Sequence, residues 1–180
     1  MGIRRAKAYS TRHRTAYTRK SKRVKSLNYI KVVPNQQVTK FNMGNVAKFN
    51  RGEFKYFLYM IPVMNIQIRD IALEAVRQSL NNRITKLLMD NYYLACKPYP
   101  HQVLRENKTF SGGSKGERVQ SGMAHSFGTT MGRAAYVKIG EPIFIIAYTN
   151  KKDTEAVRKL CKSVTPKLPG KTQIFYEEIK

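Results

Sequence analysis

No acidic residue precedes Glu53. Every charge before it is positive: Arg4, Arg5, Lys7, Arg12, Arg14, Arg19, Lys20, Lys22, Arg23, Lys25, Lys31, Lys40, Lys48 and Arg51. Such a segment repels itself and stays extended unless a polyanion lies beside it. Beside phosphates it releases counterions and binds, so nucleic acid is the first partner to expect. The shortage of acid runs through the chain, with 34 Lys+Arg against 11 Asp+Glu and a net charge of +23.

Long apolar runs are also missing. The longest, Phe57 to Met64, is about eight residues and contains Pro62, against the ~20 that a membrane-spanning helix needs. The start has no apolar stretch of the secretory kind. It is Arg-rich and acid-poor like a transit peptide, but no amphipathic pattern accompanies the charge. Cysteine is scarce: Cys96 and Cys161 stand far apart with no CxxC or Cys/His companion. This spacing argues against a zinc site or a disulfide framework, and predicts two buried, reduced thiols in an intracellular protein. With 180 residues, 42% of them hydrophobic, the chain can bury one sizeable core and still carry basic extensions.

Catalytic constellations are equally sparse. The histidines are His13, His101 and His125; the last two flank a glycine-rich stretch that also holds Glu106 and Glu117. A His/Glu pair can do acid–base work, yet there is no nucleophile elbow, HExxH or CxxC. Ser111 to Gly116 resembles a phosphate loop only at a glance, because no Gly-Lys-Ser/Thr closes it and no apolar helix follows. The expectation is a protein without catalytic residues, cofactor or metal. Two rivals stay open: an RNA-processing enzyme using His101, Glu106 and His125, and a free-standing RNA-binding regulator.

What is present points to an α+β sandwich. Tyr29–Val33 and Phe54–Ile61 have strand character. A helix is predicted over Gln67–Met89, with Ile68, Ile71, Ala72, Ala75, Val76, Leu80, Ile84, Leu87 and Leu88 on its buried face and Asn65 available as a cap. Tyr92–Val103 is extended, and its prolines suggest an edge strand or an irregular stretch. Residues 105–133 show no sustained period and hold six glycines, as a functional or disordered connection would. Ala134–Ile139 and Ile143–Tyr148 have the spacing of a hairpin. A second helix spans Thr154–Ser163 with Asp153 as N-cap and Ala156, Val157, Leu160 and Val164 inward. A last strand covers Thr172–Tyr176. This order predicts a mostly antiparallel sheet with two helices on one face, in a single domain 29–180 preceded by a basic extension 1–28. Along that extension and at its end, Tyr9, Tyr17 and Tyr29 interrupt the cations; they stack on unpaired bases, or they do nothing specific in a basic tail.

Several stretches carry a resemblance. Tyr99-Pro100-His101-Gln102-Val103-Leu104-Arg105-Glu106-Asn107-Lys108, with Gly122-Met123, Phe127-Gly128 and Gly132 downstream, resembles the signature of a ribosomal protein family. It is called protein sixteen in bacteria and protein ten-e in archaea and eukaryotes. Lys40 to Asn45, Gln67-Ile68-Arg69 with Ala72 to Ala75, Lys167-Leu168-Pro169, and Ala16 to Lys20 are similar to further segments of that family. Asn42 stands where the family usually has Asp, and Gln102 where archaeal members often have a second His. The spelling is closest to the archaeal type.

The resemblance implies a structural protein of the large ribosomal subunit with an α/β-sandwich fold. It implies binding to large-subunit rRNA near the aminoacyl-tRNA site and central protuberance, and a loop pointing at the peptidyl-transferase centre. Arg4, Arg5, Lys7, Arg12, Arg14, Arg19, Lys20, Lys22, Arg23 and Lys25 would contact rRNA. His101, Arg105, Asn107, Lys108, Arg118, Ser121, Gly122 and Met123 would lie in the loop near rRNA and tRNA. Partners would be rRNA, tRNA in the aminoacyl and peptidyl sites, and neighbouring ribosomal proteins. No membrane and no stable homo-oligomer are expected, and the location would be the cytoplasmic ribosome.

Overall fold

A computed structural model describes residues 5–10, 30, 32–106 and 129–179. Their elements run β1 (Asn42–Gly44), α1 (Val46–Asn50), β2 (Tyr56–Pro62), β3 (Ile66–Arg69), α2 (Asp70–Leu88), β4 (Tyr92–Cys96), β5 (Gln102–Glu106), β6 (Thr129–Val137), β7 (Phe144–Tyr148), α3 (Thr154–Val164) and β8 (Thr172–Glu178). The α+β class holds. The strands divide into two antiparallel sheets rather than one, a five-stranded sheet ordered β1-β4-β7-β2-β8 and a three-stranded sheet ordered β3-β6-β5.

The main core lies between the large sheet and the two long helices. Leu58, Met60, Leu94, Phe144, Ile146 and Tyr148 of the sheet meet Leu73, Val76, Leu80 and Ile84 of α2 and Val157, Cys161 and Val164 of α3. Apolar burial at that interface is the chief stabilising term. The opposite sheet face buries Phe54, Phe57, Tyr93, Ala95 and Ala147, and Phe49 of α1 stacks on Tyr93 at 4.0 Å. The two thiols are buried and free, as their isolation in sequence predicts.

Six expectations need correction. The helix predicted from Gln67 begins at Asp70, because Ile66–Arg69 is β3, which pairs with Ala134–Val137 of β6. Asn65 does not cap it; its Oδ1 accepts from the Ile139 N–H at 2.9 Å. Ile71 and Leu87 sit on the solvent side of α2, while Leu73, absent from the predicted stripe, is fully buried. Residues 134–148 are not a hairpin, since β6 belongs to the small sheet and β7 to the large one. Tyr92–Val103 splits likewise: β4 is an interior, wholly buried strand, and the prolines fall in the link to β5. Finally, Thr129–Arg133, read as part of the long connection, is the first half of β6.

Gly44 shows why one family-like stretch is spelled as it is. Its φ is +80°, and a Cβ there would lie 2.3 Å from the Tyr92 carbonyl oxygen. Only glycine meets both demands. Around it, Met43 is buried and Asn45 caps α1 by accepting from the Lys48 N–H at 2.9 Å. Asn42 accepts from the Tyr93 hydroxyl at 3.0 Å, a role its amide oxygen fills without a charge.

Candidate nucleic-acid interface

The small sheet collects the basic elements. β5 and β6 flank residues 107–128, and β3 forms the opposite edge. An edge strand presents unpaired N–H and C=O groups, and here residues 5–10 lie against that edge and take up one of them. The Gln67 N–H donates to the Ser10 carbonyl at 3.0 Å, and Arg69 Nη2 donates to the Arg5 carbonyl at 2.6 Å. The segment is folded into a turn by bonds from Ala8 to Arg5 and from Ser10 to Lys7. Tyr9 takes a positive φ of 65° inside it. Arg5 and Lys7 stay exposed. Two of the ten predicted rRNA contacts are thus held on the sheet that carries the loop.

Below them the carboxylates are turned inward. Asp70 is buried and accepts from the Gln37 N–H at 3.2 Å and the Ile71 N–H at 2.8 Å. Burial pushes its carboxyl above the ordinary value, and the hydrogen bonds and Arg133 pull the other way. Glu74 is also buried. It accepts from Arg77 Nε at 2.7 Å and Nη2 at 2.6 Å, and from the Thr39 N–H and hydroxyl at 3.4 Å each. The Arg77 hydrogen bonds hold its carboxyl down at about 2, against the cost of burial. Residues 34–41 are thereby strapped along α2. The strap also meets β6, where Arg133 Nε donates to the Pro34 carbonyl at 2.6 Å. Because these acids spend their charge internally, the cations outside face solvent with little opposition.

The loop's roots are ordered. Arg105 pairs with Thr130 and Glu106 with Thr129, with a bulge between Leu104 and Arg105. Bulges re-aim the side chains beside them. The Thr129 hydroxyl donates to the Glu106 carbonyl at 3.2 Å. Gln102, the family departure, is buried and accepts from Gln67 Nε2 across the sheet, tying β5 to β3. His101 is exposed. Its ring lies 4.6 Å from Tyr99, which stacks on Phe41 at 5.5 Å. Exposed rings beside cations suit stacking on unpaired bases.

Of the sequence-predicted site residues, the structure therefore brings Arg5, Lys7, His101 and Arg105 to one small sheet and its borders. Arg4, Arg12, Arg14, Arg19, Lys20, Lys22, Arg23, Lys25, Asn107, Lys108, Arg118, Ser121, Gly122 and Met123 lie outside the described residues. So does His125. Among the described residues no group of three or more His, Cys, Asp or Glu is placed to hold a metal ion. None of their helices is long and apolar enough to cross a membrane. Sequence reasoning missed Arg69, Arg133 and the Phe41–Tyr99 stack. Arg69 could have been found from its place in a family-like segment; the pairing of Phe41 with Tyr99 had no signal.

The sequence is similar to those of known proteins over nearly its whole length. The profile of the family described as ribosomal protein L16p/L10e matches residues 12–175. The large ribosomal subunit protein uL16 of Methanospirillum hungatei is 34% identical over 170 residues, 94% of this chain and 92% of that protein. That of Staphylothermus marinus is 33% identical over 183 residues, 100% and 97% of the two chains. That of Sulfolobus acidocaldarius is 36% identical over 179 residues, 97% and 93%. By both the profile and these near full-length relatives, the chain belongs to the ribosomal protein L16p/L10e family, whose members are structural proteins and not enzymes.

Proposed function

We propose that this chain is a structural constituent of the large ribosomal subunit, bound to large-subunit rRNA near the aminoacyl-tRNA site and central protuberance. The observation that carries the reading is the docking of Arg5–Ser10 on the edge of the sheet from which residues 107–128 depart. Arm and loop then present one basic front. The relatives' names supply the particle to which such a front belongs.

In this reading residues 1–28 are an rRNA-binding extension of a single domain, 29–180. Arg4, Arg12, Arg14, Arg19, Lys20, Lys22, Arg23 and Lys25 continue the phosphate contacts that Arg5 and Lys7 begin. Their cations neutralise phosphates where rRNA helices crowd, releasing counterions. The loop, with Arg105, Asn107, Lys108, Arg118, Ser121, Gly122 and Met123, is directed toward the peptidyl-transferase centre and orders on RNA. There it supports tRNA in the aminoacyl and peptidyl sites and helps the subunit mature. Neighbouring ribosomal proteins complete the surroundings, and the chain acts as one copy per particle in the cytoplasm.

The test is sedimentation of cell lysate through sucrose gradients in moderate and high salt, with blotting for this chain. Stoichiometric co-migration with large subunits and with 70S or 80S particles is expected. A chain that stays at the top of the moderate-salt gradient would overturn the reading in favour of a free RNA-binding regulator.

A further inference from the structure

β8 closes one end of the five-stranded sheet and pairs with β2 alone. Its register decides which backbone groups are already used. The Val63 N–H bonds to the Lys171 carbonyl at 3.0 Å, and the Ile179 N–H to the Lys55 carbonyl at 2.9 Å. In an antiparallel ladder hydrogen-bonded pairs alternate with non-hydrogen-bonded ones. Odd-numbered residues of β8 therefore bond to β2, and the N–H and C=O groups of Thr172, Ile174, Tyr176 and Glu178 point outward. Among the described residues no strand or loop takes them up.

The other sheet ends are shorter or partly blunted: β1 is three residues long, β3 is partly covered by Arg5–Ser10, and β5 is five residues long with its register with β6 interrupted between Leu104 and Arg105. β8 is seven residues long, without proline, and natural edges of that kind are usually masked. Its apolar side chains are conspicuously open: Phe175 is 49% exposed, Tyr176 38% and the adjoining Ile179 50%. Its charge is inverted relative to the chain. Thr172–Glu178 contains Glu177 and Glu178 and no cation, in a protein of net charge +23. The surrounding cations are Lys55, Lys171 and Lys151, the last 3.4 Å from Glu178 in an exposed, weak pair.

We propose that β8 is a docking edge for an extended segment of another protein, which adds to the sheet as a sixth strand. Only a polypeptide strand satisfies a row of alternating N–H and C=O groups. The two carboxylates repel phosphates, so this end of the molecule faces away from RNA. They favour a segment with lysine or arginine at the Glu177–Glu178 end and apolar side chains beside Phe175 and Ile179. A second copy of this chain is the poorer occupant, because two bodies of charge +23 repel. The inference is separate from the RNA reading and uses none of the basic front.

The test titrates the full isotope-labelled chain with an eight-residue peptide of alternating lysine and valine, acetylated and amidated, and follows amide hydrogen exchange. At saturation the amides of Ile174, Tyr176 and Glu178 should exchange at least tenfold more slowly. Those of Phe175 and Glu177, already bonded to β2, should barely change. Glu178→Pro removes one outward N–H without touching a β2 hydrogen bond and should weaken binding about tenfold. The same peptide with N-methylated backbone at alternate residues should not bind the unaltered chain. Four results would overturn the proposal: no protection at millimolar peptide, equal binding by the N-methylated peptide, protection of β8 by an oligouridylate instead, or concentration-dependent self-association that protects it.

Discussion

Arg77 donates from Nε and Nη2 to both carboxylate oxygens of Glu74, one helical turn before it, at 2.7 and 2.6 Å. The pair is buried and two-pronged, and it also receives the Thr39 backbone of the strap. Removing one partner would strand the other charge in the interior. Glu74→Ala should therefore destabilise the fold by about 3 kcal/mol, read as a lower denaturant midpoint. Glu74 also predicts a pH effect. Its folded value of about 2 lies below the ordinary 4.5. Its stabilisation is thus complete above pH 4.5 and is lost as pH falls through about 2. Asp70, shifted upward by burial, acts with the opposite sign. Glu74→Gln should flatten the acid limb of the stability curve between these two values; an unchanged limb would show that the pair does not govern it.

Gly44→Ala places a Cβ on the Tyr92 carbonyl oxygen and forces a left-handed backbone on an L side chain. The cost should be about 3 kcal/mol. The β1–β4 ladder should loosen first, seen as faster amide exchange at Asn45, whose N–H bonds to Tyr92.

The thiols of Cys96 and Cys161 are both pushed up to about 12 by burial. Neither should react with a thiol reagent at pH 8 in the native protein, because the thiolate is the reactive form. Both should react promptly in denaturant. Fast labelling of the native chain would show that one of them is not packed as described.

Arg5→Ala with Lys7→Ala removes two exposed cations from the arm's docked turn. If each contacts one phosphate, the slope of log affinity for rRNA against log salt should shrink by about 1.8. The thermal midpoint should barely move, since neither side chain is buried. Arg105→Ala, Lys108→Ala and Arg118→Ala together should impair late subunit maturation or peptide-bond formation. Normal polysome profiles and growth in that triple variant would count against the loop's proposed role.

Sequence patterns caught the second helix, the aromatic strand β2 and the buried thiols, because each is governed by neighbours close in the chain. They misplaced the start of α2 for a physical reason. Ile66 and Ile68 alternate as a strand requires, yet Ile68 also fits the helical stripe that follows, so one period masked the other. They missed the division into two sheets because it depends on which strands meet. β6 looks like a partner for β7 along the chain but pairs with Ile66–Arg69 instead. The partly exposed first half of β6 holds threonines and glycine and has little apolar signature. Within the candidate interface, charge made the arm legible. Its seat on β3 was not, because a backbone hydrogen bond between Ser10 and Gln67 leaves no mark on side-chain pattern.

The bond from Arg133 to the Pro34 carbonyl spans 99 residues. During synthesis the strap leaves the exit tunnel well before its far anchor is made. At typical elongation rates of about 5–20 residues per second, the delay is roughly 5–20 s. Over that interval the basic arm is joined to a domain whose small sheet is incomplete, and any polyanion nearby competes for it. The moment of danger for this protein is therefore set by translation speed, and slowing elongation between Pro34 and Arg133 should lengthen it in proportion.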